Sequence, residues 1–398
     1  MRFRTPRLRT RDWLIIAVMA ALLTVGALFV RSASYRSGPM GEGYYTTSPL
    51  KQVQWIVVGA FAFLAVLFIN YRHLVEHAVI FYVIGIGMLV YVLEHGVSSE
   101  TIVARRWIQV GPLRLQPSEL MKLFVILAMA RMLMYSDRHR SLGGLLGPFL
   151  LVLVPMALIA REPDLGTALV LLPVAFAMLY VAAARGRHLL FIILIGASAV
   201  PVVWSQMHDY QKRRVIAFFT QDDPHVKGQY HLRQAKVAVG AGQLFGRGLG
   251  KGTQNRLNFI PAKTRNNDFI FAVICEEWGF VGANFVLLLY LVLLFLCILA
   301  AEETHHPAGR LIIVGVVAML GTQVIVNTSM TMGQLPIVGL TLPLVSYGGS
   351  SLVSCMVAIG LVVNVSTWRQ VALAGDDFDP EAQERREAAP MPEETFMH

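Results

Sequence analysis

Long apolar runs separated by short polar or basic stretches dominate the chain, and their length sets the architecture. A helix needs about 20 apolar residues to cross the hydrocarbon core of a bilayer. Runs of that order occur at 12–30, 52–70, 74–93, 118–135, 142–160, 165–184, 188–206, about 280–300, 311–331 and about 346–367. The pattern predicts an all-α polytopic membrane protein with about ten transmembrane helices and a large extracytoplasmic loop between helices 7 and 8. Residues 268–279 either extend the eighth helix or form a separate dip. The first run follows Arg2, Arg4, Arg7, Arg9 and Arg11 and precedes Ser32-Ala33-Ser34, as a cleaved leader would. It is longer than the roughly 7–15 apolar residues of a leader and many spans follow, so it is expected to stay as the first helix.

Charge gives the orientation and the ends. The N-terminal arginines, then Arg138 and Arg140, then Arg185 and Arg187, mark one side as cytoplasmic, and an even number of spans returns the C-terminus there. The expected organisation is a basic cytoplasmic segment at 1–11, one membrane domain at 12–370 with an external loop at 209–267, and a disordered cytoplasmic tail at 371–398. From residue 375 that tail holds eight acidic residues, two arginines and three prolines, too polar to bury a core. Without its net −6, the overall +9 becomes +15 on the rest. Asp209–Asn267 alone carries eleven Lys/Arg against three Asp. Such a surface attracts an anionic substrate or anionic lipid headgroups, and charge alone does not choose. Only 15% of residues are charged, against about a quarter in soluble domains, and 55% are hydrophobic, so the solvent for most of the chain is lipid. Cys275, Cys297 and Cys355 all lie in apolar stretches, with no disulfide or metal spacing among them.

Residues 333–350, GQLPIVGLTLPLVSYGGS, interrupt an apolar stretch with Pro336, Pro343 and four glycines. Irregular backbone at membrane depth survives only against protein or a water-filled cavity, so this segment is expected to line one; a plain inter-helix loop is the alternative.

Ionisable side chains are expensive near lipid, and each one raises a function or a structural role. Asp268 opens DFIFAVICEEWGF directly after the basic loop. It is a helix cap or a partly desolvated proton acceptor. Glu276 and Glu277 follow on other helical faces, which argues against a paired-carboxylate glycosidase site. Glu119 and Lys122, three apart after Pro117, suit an ion pair on one face or a polar cavity wall. In REPDLGT, Asp164 is placed to cap the sixth span, with Glu162 beside it on the substrate side. Arg105 and Arg106 next to Trp107 either anchor a helix end or clamp a phosphate. The glycine-rich GRGLGKGT at 246–253 does not have phosphate-loop spacing, so no nucleotide site is indicated.

Taken together, ARRWIQVGPLRLQPSELMKL (104–123), EPDLGTALV (162–170), FGRGLGKGTQNRLNFIP (245–261), NDFIFAVICEEWGFVGA (267–283) and LPIVGLTLPLVSYGGSS (335–351) resemble the shape, elongation, division and sporulation family. The resemblance is to its RodA branch more than to FtsW, chiefly through GTQNRLNFIP. It implies ten transmembrane helices in the bacterial inner membrane, both termini cytoplasmic, and a peptidoglycan glycosyltransferase that polymerises lipid II into β-1,4 glycan on the outer face during elongation. The family's essential aspartate falls on Asp268, the implied general base, although Asn266-Asn267 stand where the family usually has His-Thr. The implied leaving group is undecaprenyl pyrophosphate, stabilised by Arg105 and Arg106 or by a divalent cation. Glu119, Lys122, Glu162, Asp164, Lys251 and Ser346 complete the implied substrate-binding set. No resident cofactor or protein-held metal is implied, and no nucleic acid. The implied partner is a class B penicillin-binding protein, a single-span transpeptidase, with lipid-facing small residues such as Gly85 and Gly87 as its candidate contact. A lipid II flippase and a non-catalytic scaffold for wall synthases are the competing readings.

Overall fold

The computed structural model describes residues 8–37, 43–45, 48–99, 102–111, 113–135, 140–207, 209–220, 230–253 and 262–373. Arg2, Arg4, Arg7, Arg138, most of GTQNRLNFIP and all but the first residues of the acidic tail lie outside them. In chain order the elements begin with α1 (Thr10–Ala33), β1 (Tyr35–Ser37), β2 (Gly43–Tyr45), α2 (Ser48–Phe68), α3 (Tyr71–Glu76) and α4 (Ala78–His95). A small antiparallel sheet of β3 (Val97–Ser99), β4 (Ile102–Val110) and β5 (Leu113–Leu115), in that order, leads into α5 (Pro117–Met134). Then come α6 (Leu146–Arg161), α7 (Leu165–Val181), α8 (Gly186–Ser198), α9 (Val200–Gln206), α10 (Asp209–Phe219) and α11 (Tyr230–Ala241). The chain closes with α12 (Ala262–Asn267), α13 (Ile270–Glu302), α14 (Pro307–Thr331) and α15 (Gly349–Leu373).

Each of the ten sequence-derived spans has its helix. Seven are long and apolar enough to cross a membrane by themselves. Of the others, α7 and α8 are shorter apolar helices, and α5 carries Glu119, Lys122 and Arg131. The seventh span is divided at Ala199, just before Pro201, whose missing N–H cannot continue the ladder. The segment expected as one external loop is partly helical: α10, α11 and α12 fall within it, and α11 packs on α13. α15 lies along α2, and α14 is enclosed by α5, α7 and α13. The three cysteines are buried. Gly85 faces inward, not to lipid: a Cβ there would come within 2.6 Å of Met121 Sδ and 2.8 Å of Phe124, so it lets α4 close on α5.

The two ends of the bundle are held differently. At one, Arg11 Nη1 and Arg9 Nη1 pair with Glu303 at 2.9 and 3.0 Å, tying α1 to the end of α13. Nearby on the same side, Asn364 of α15 donates to Ile69 O at 2.6 Å and accepts from Tyr71 N at 3.1 Å, which closes the α2–α3 turn. The opposite end is built from broken backbone. α13 is two helices fused at Gly279 (φ 67°, ψ −163°). A break there frees carbonyls before it and N–H groups after it, and loop 242–248 takes up both. Arg247 N and Gly248 N donate to the carbonyls of Glu276 and Glu277 at 3.0 and 2.9 Å. Phe280 N and Val281 N donate to the carbonyls of Gln243 and Leu244 at 2.8 and 3.0 Å. The glycine richness of GRGLGKGT is thus explained: at Gly246 (φ 76°) a Cβ would stand 2.2 Å from Glu277 O.

Gly279 combines a glycine-only dihedral with backbone on every side, since a Cβ would lie 2.3 Å from Gly246 N and 2.6 Å from Leu244 O. Gly279→Ala is expected to lose at least about 2 kcal/mol, seen as a lower thermal midpoint in detergent. At Gly87, where a Cβ meets nothing within 4 Å, the same change is expected to be neutral or to gain up to about 1 kcal/mol. Equal midpoints for the two variants would contradict this account of the break.

Candidate active site

Asp268 and Phe269 form the turn between α12 and α13, with Asp268 half-buried and Phe269 fully buried. Phe269, not Asp268, occupies the N-cap position of α13. A helix that stops at Asn267 leaves its last carbonyls without helical donors. Here three consecutive carbonyls each receive a donor from the C-terminal quarter of the chain. Tyr347 N donates to Asn266 O at 2.9 Å, Ser346 Oγ to Asn267 O at 2.6 Å, and Asn327 Nδ2 to Asp268 O at 3.0 Å. Ser346 Oγ also accepts from Leu342 N at 2.8 Å, and Asn327 Nδ2 also donates to Leu340 O at 2.6 Å. The broken segment 333–348 is therefore stitched to the aspartate turn, as irregular backbone lining a polar interior must be. On the other side of the turn, Asn266 Nδ2 donates to Ser34 Oγ at 3.1 Å and the fully buried Arg265 donates to Ala33 O, both at the end of α1.

A second cluster stands where α6 turns into α7. Asp164 is the N-cap of α7, accepting from Thr167 N at 3.4 Å and Thr167 Oγ1 at 3.0 Å, and from Gln116 Nε2 at 2.9 Å. Arg106 spends its guanidinium on the carbonyls of Glu162 (3.0 Å) and Pro163, with Nη1 3.9 Å from Asp164. Glu162 is 1% exposed and neither of its carboxylate oxygens accepts a hydrogen bond among the described residues. Burial, reinforced by the neighbouring Asp164 charge and only partly opposed by Arg106, pushes its carboxyl up to about 8. The broken segment reaches this cluster too: a Cβ on Gly166 would stand 2.7 Å from Val338 O.

Glu119 and Lys122 form a buried ion pair, Oε2 to Nζ at 2.8 Å, with Ser354 Oγ donating to Glu119 O at 2.9 Å. Arg105 is exposed and donates to Glu94 O at 2.6 Å, apart from these clusters. Lys251 is exposed on the loop that seals the α13 break, where Gly250 N donates to Glu277 Oε2 at 3.0 Å and Thr253 Oγ1 to Glu276 Oε1 at 3.1 Å. Ser32 Oγ donates to Glu277 Oε1 at 2.5 Å, so Glu276 and Glu277 pin that loop to α13 and α1. Asp268 and Ser346 thus share one cluster, Arg106, Glu162 and Asp164 a second, and Glu119 and Lys122 a pair of their own.

The sequence reading did not single out Asn327, Gln116 or Arg265. Asn327 carried a signal, as a polar residue inside the apolar run 311–331; Gln116 and Arg265 sit at polar element ends, where no pattern separates them from loop residues.

The Glu162 carboxyl is held above its unfolded value, so the folded chain binds the extra proton between the ordinary carboxylate range and about pH 8. Stability is expected to fall as pH rises through that window and to level off above it. In Glu162→Gln this part of the decline should vanish, leaving the variant more stable than the natural chain at pH 9 and no different near pH 4; parallel thermal-midpoint curves would refute it. For the buried pair, Lys122→Met alone is expected to cost roughly 3–5 kcal/mol by stranding a carboxylate, and Glu119→Gln with Lys122→Met to recover much of it. Denaturation of the two variants side by side checks this; a double variant as damaged as the single one would not fit.

Similarity to known proteins agrees with this architecture. Residues 12–371 match the FtsW/RodA/SpoVE family, described as cell cycle proteins. The chain is 34% identical over 361 residues to the peptidoglycan glycosyltransferase MrdB of Escherichia coli K12, covering 90% of this chain and 94% of that one. A chain from the structural study of a peptidoglycan synthase complex that coordinates polymerization and crosslinking superposes with a TM-score of 0.77 at 32% identity, covering 90% and 98% of the two chains. The crystal structure of the rod shape determining protein RodA of Thermus thermophilus gives a TM-score of 0.65 at 30% identity over 90% and 97%. The chain belongs to the FtsW/RodA/SpoVE family, the shape, elongation, division and sporulation proteins, and is a multi-pass membrane member of it.

Proposed function

We propose that this peptidoglycan glycosyltransferase polymerises lipid II on the outer face of the inner membrane, with Asp268 as general base. The observation that carries the reading is the aspartate turn itself. A half-buried carboxylate stands on irregular backbone whose three carbonyls are held by hydrogen bonds from α14 and the broken segment. Fixed backbone around a reactive group is what positioning catalysis requires. Asp268 takes the proton of the acceptor sugar's 4-hydroxyl as that oxygen attacks the anomeric carbon of the donor. The bond from the anomeric carbon to the diphosphate oxygen breaks, and undecaprenyl pyrophosphate leaves with the electron pair. Attack opposite the leaving group turns the α-linked donor into a β-1,4 linkage.

The exposed cations Arg105 and Lys251 provide positive charge for the diphosphate, and a divalent cation bound with the substrate would serve the same end. Arg106 acts through the α6–α7 turn it holds, and Glu119, Lys122, Glu162, Asp164 and Ser346 shape the polar wall. The basic residues Arg9 and Arg11 support a cytoplasmic side at their end of the bundle, and the aspartate turn, at the opposite end, then faces out. A class B penicillin-binding protein supplies crosslinking alongside, in line with the synthase complex whose chain this one resembles.

Purified chain with its transpeptidase partner should convert lipid II to glycan, and Asp268→Ala should lower that rate by at least about 10²-fold while remaining folded and partner-bound. Full polymerisation by the variant would remove Asp268 from the chemistry. No polymer from the natural complex, with lipid II crossing vesicles in its presence, would favour the flippase.

A further inference from the structure

We propose that Asn327 is the positioning residue for Asp268, fixing where the carboxylate stands by holding the aspartate's own main chain against the broken segment 333–348. The inference rests on the reading of Asp268 as the base. Asn327 is fully buried on α14, inside a run that otherwise favours apolar side chains. Its Nδ2 donates to Asp268 O at 3.0 Å and to Leu340 O at 2.6 Å. Both amide hydrogens are thus engaged by main-chain carbonyls, while Oδ1 accepts no hydrogen bond among the described residues. The orientation of the amide is set by its two donor bonds, because the flipped amide would turn Oδ1, an acceptor, toward the same two carbonyls.

The two carbonyls it joins lie outside helices. Asp268 is in the turn between α12 and α13, and Leu340 is in the segment that also packs on the start of α7. Ser346 and Tyr347 hold the two residues before the aspartate; Asn327 holds the aspartate residue itself. Side-chain direction follows from backbone placement, so loss of this bond lets the carboxylate drift relative to a reacting hydroxyl. A misplacement of about 1 Å can cost about 10²-fold in rate. A residue that acts in this way changes turnover and leaves substrate capture alone.

The test is steady-state polymerisation of lipid II by the full chain in complex with its transpeptidase, comparing Asn327→Leu, Asn327→Asp and Asn327→Gln with Asp268→Asn. Asn327→Leu removes the donors at similar size, and Asn327→Asp replaces them with acceptors facing two carbonyls. Both are expected to lower kcat by about 10²-fold with KM changed by no more than about twofold. Asn327→Gln, which keeps the amide, is expected to recover about tenfold of that loss, which a purely steric role would not produce. Should the leucine variant fail to fold, the aspartate and glutamine variants carry the same comparison. A natural kcat in the folded variants, or a loss confined to KM, overturns the inference. If Asp268→Asn is inactive while the Asn327 variants turn over normally, the positioning role alone fails. If Asp268→Asn polymerises at the natural rate, the base assignment fails and this inference with it.

Discussion

Three main-chain carbonyls, those of Asn266, Asn267 and Asp268, lie where a helix ends and its own N–H groups cannot reach them, and much of the site end is organised to supply other donors. A buried carbonyl left without a donor costs about 1–3 kcal/mol. Regular helix would satisfy them from its own N–H groups. The chain instead stops α12, turns at Asp268 and brings donors from elsewhere. That choice requires the polar residues Asn327 and Ser346 to be near one another and requires segment 333–348 to be irregular. The two prolines of that segment, so costly in a plain span, become compatible with the fold.

The break in α13 repeats the same logic with a different solution. Its freed groups are met by a glycine-rich loop, not by side chains, because the loop approaches within the space a Cβ would occupy. Glu276 and Glu277 then fasten the loop with their carboxylates. These carboxylates, which the sequence sets on other helical faces than Asp268, hold the wall. The ion pairs of Arg9 and Arg11 with Glu303 tie α1 to α13 at the far end by a more ordinary route, and the more exposed pair of Arg9 contributes little by itself.

Much of this was legible in the chain. Run length alone located a helix for each of the ten apolar runs, seven of them long and apolar enough to cross a membrane, because the bilayer imposes a length no soluble core does. The prolines and glycines of 333–350 announced irregular backbone, and Pro117 and Asp164 announced helix starts that exist. What stayed hidden was whatever depends on spatial meeting. Nothing in the local pattern shows that Asn327 reaches a residue 59 positions away, or that Arg106 turns toward the carbonyls of residues 162 and 163. The helices α10 and α11 were missed for another reason: their mixed polar sequence is helical at a surface, and the length criterion for spans does not look for that.

The order of synthesis gives the aspartate turn an unusual history. Asn267 leaves the ribosome 79 residues ahead of Ser346, and Asp268 leaves 59 ahead of Asn327. At roughly 5–20 residues per second, those carbonyls wait roughly 3–16 s for their donors. During that interval α13 can enter the bilayer, and Arg265 and Asn266 can reach the end of α1, but the three carbonyl bonds from α14 and segment 333–348 are still unmade. The aspartate turn therefore gains its three carbonyl bonds only after α14 and segment 333–348 have been made, and a chain truncated after α13 would keep the contacts of Arg265 and Asn266 with α1 but lack those three.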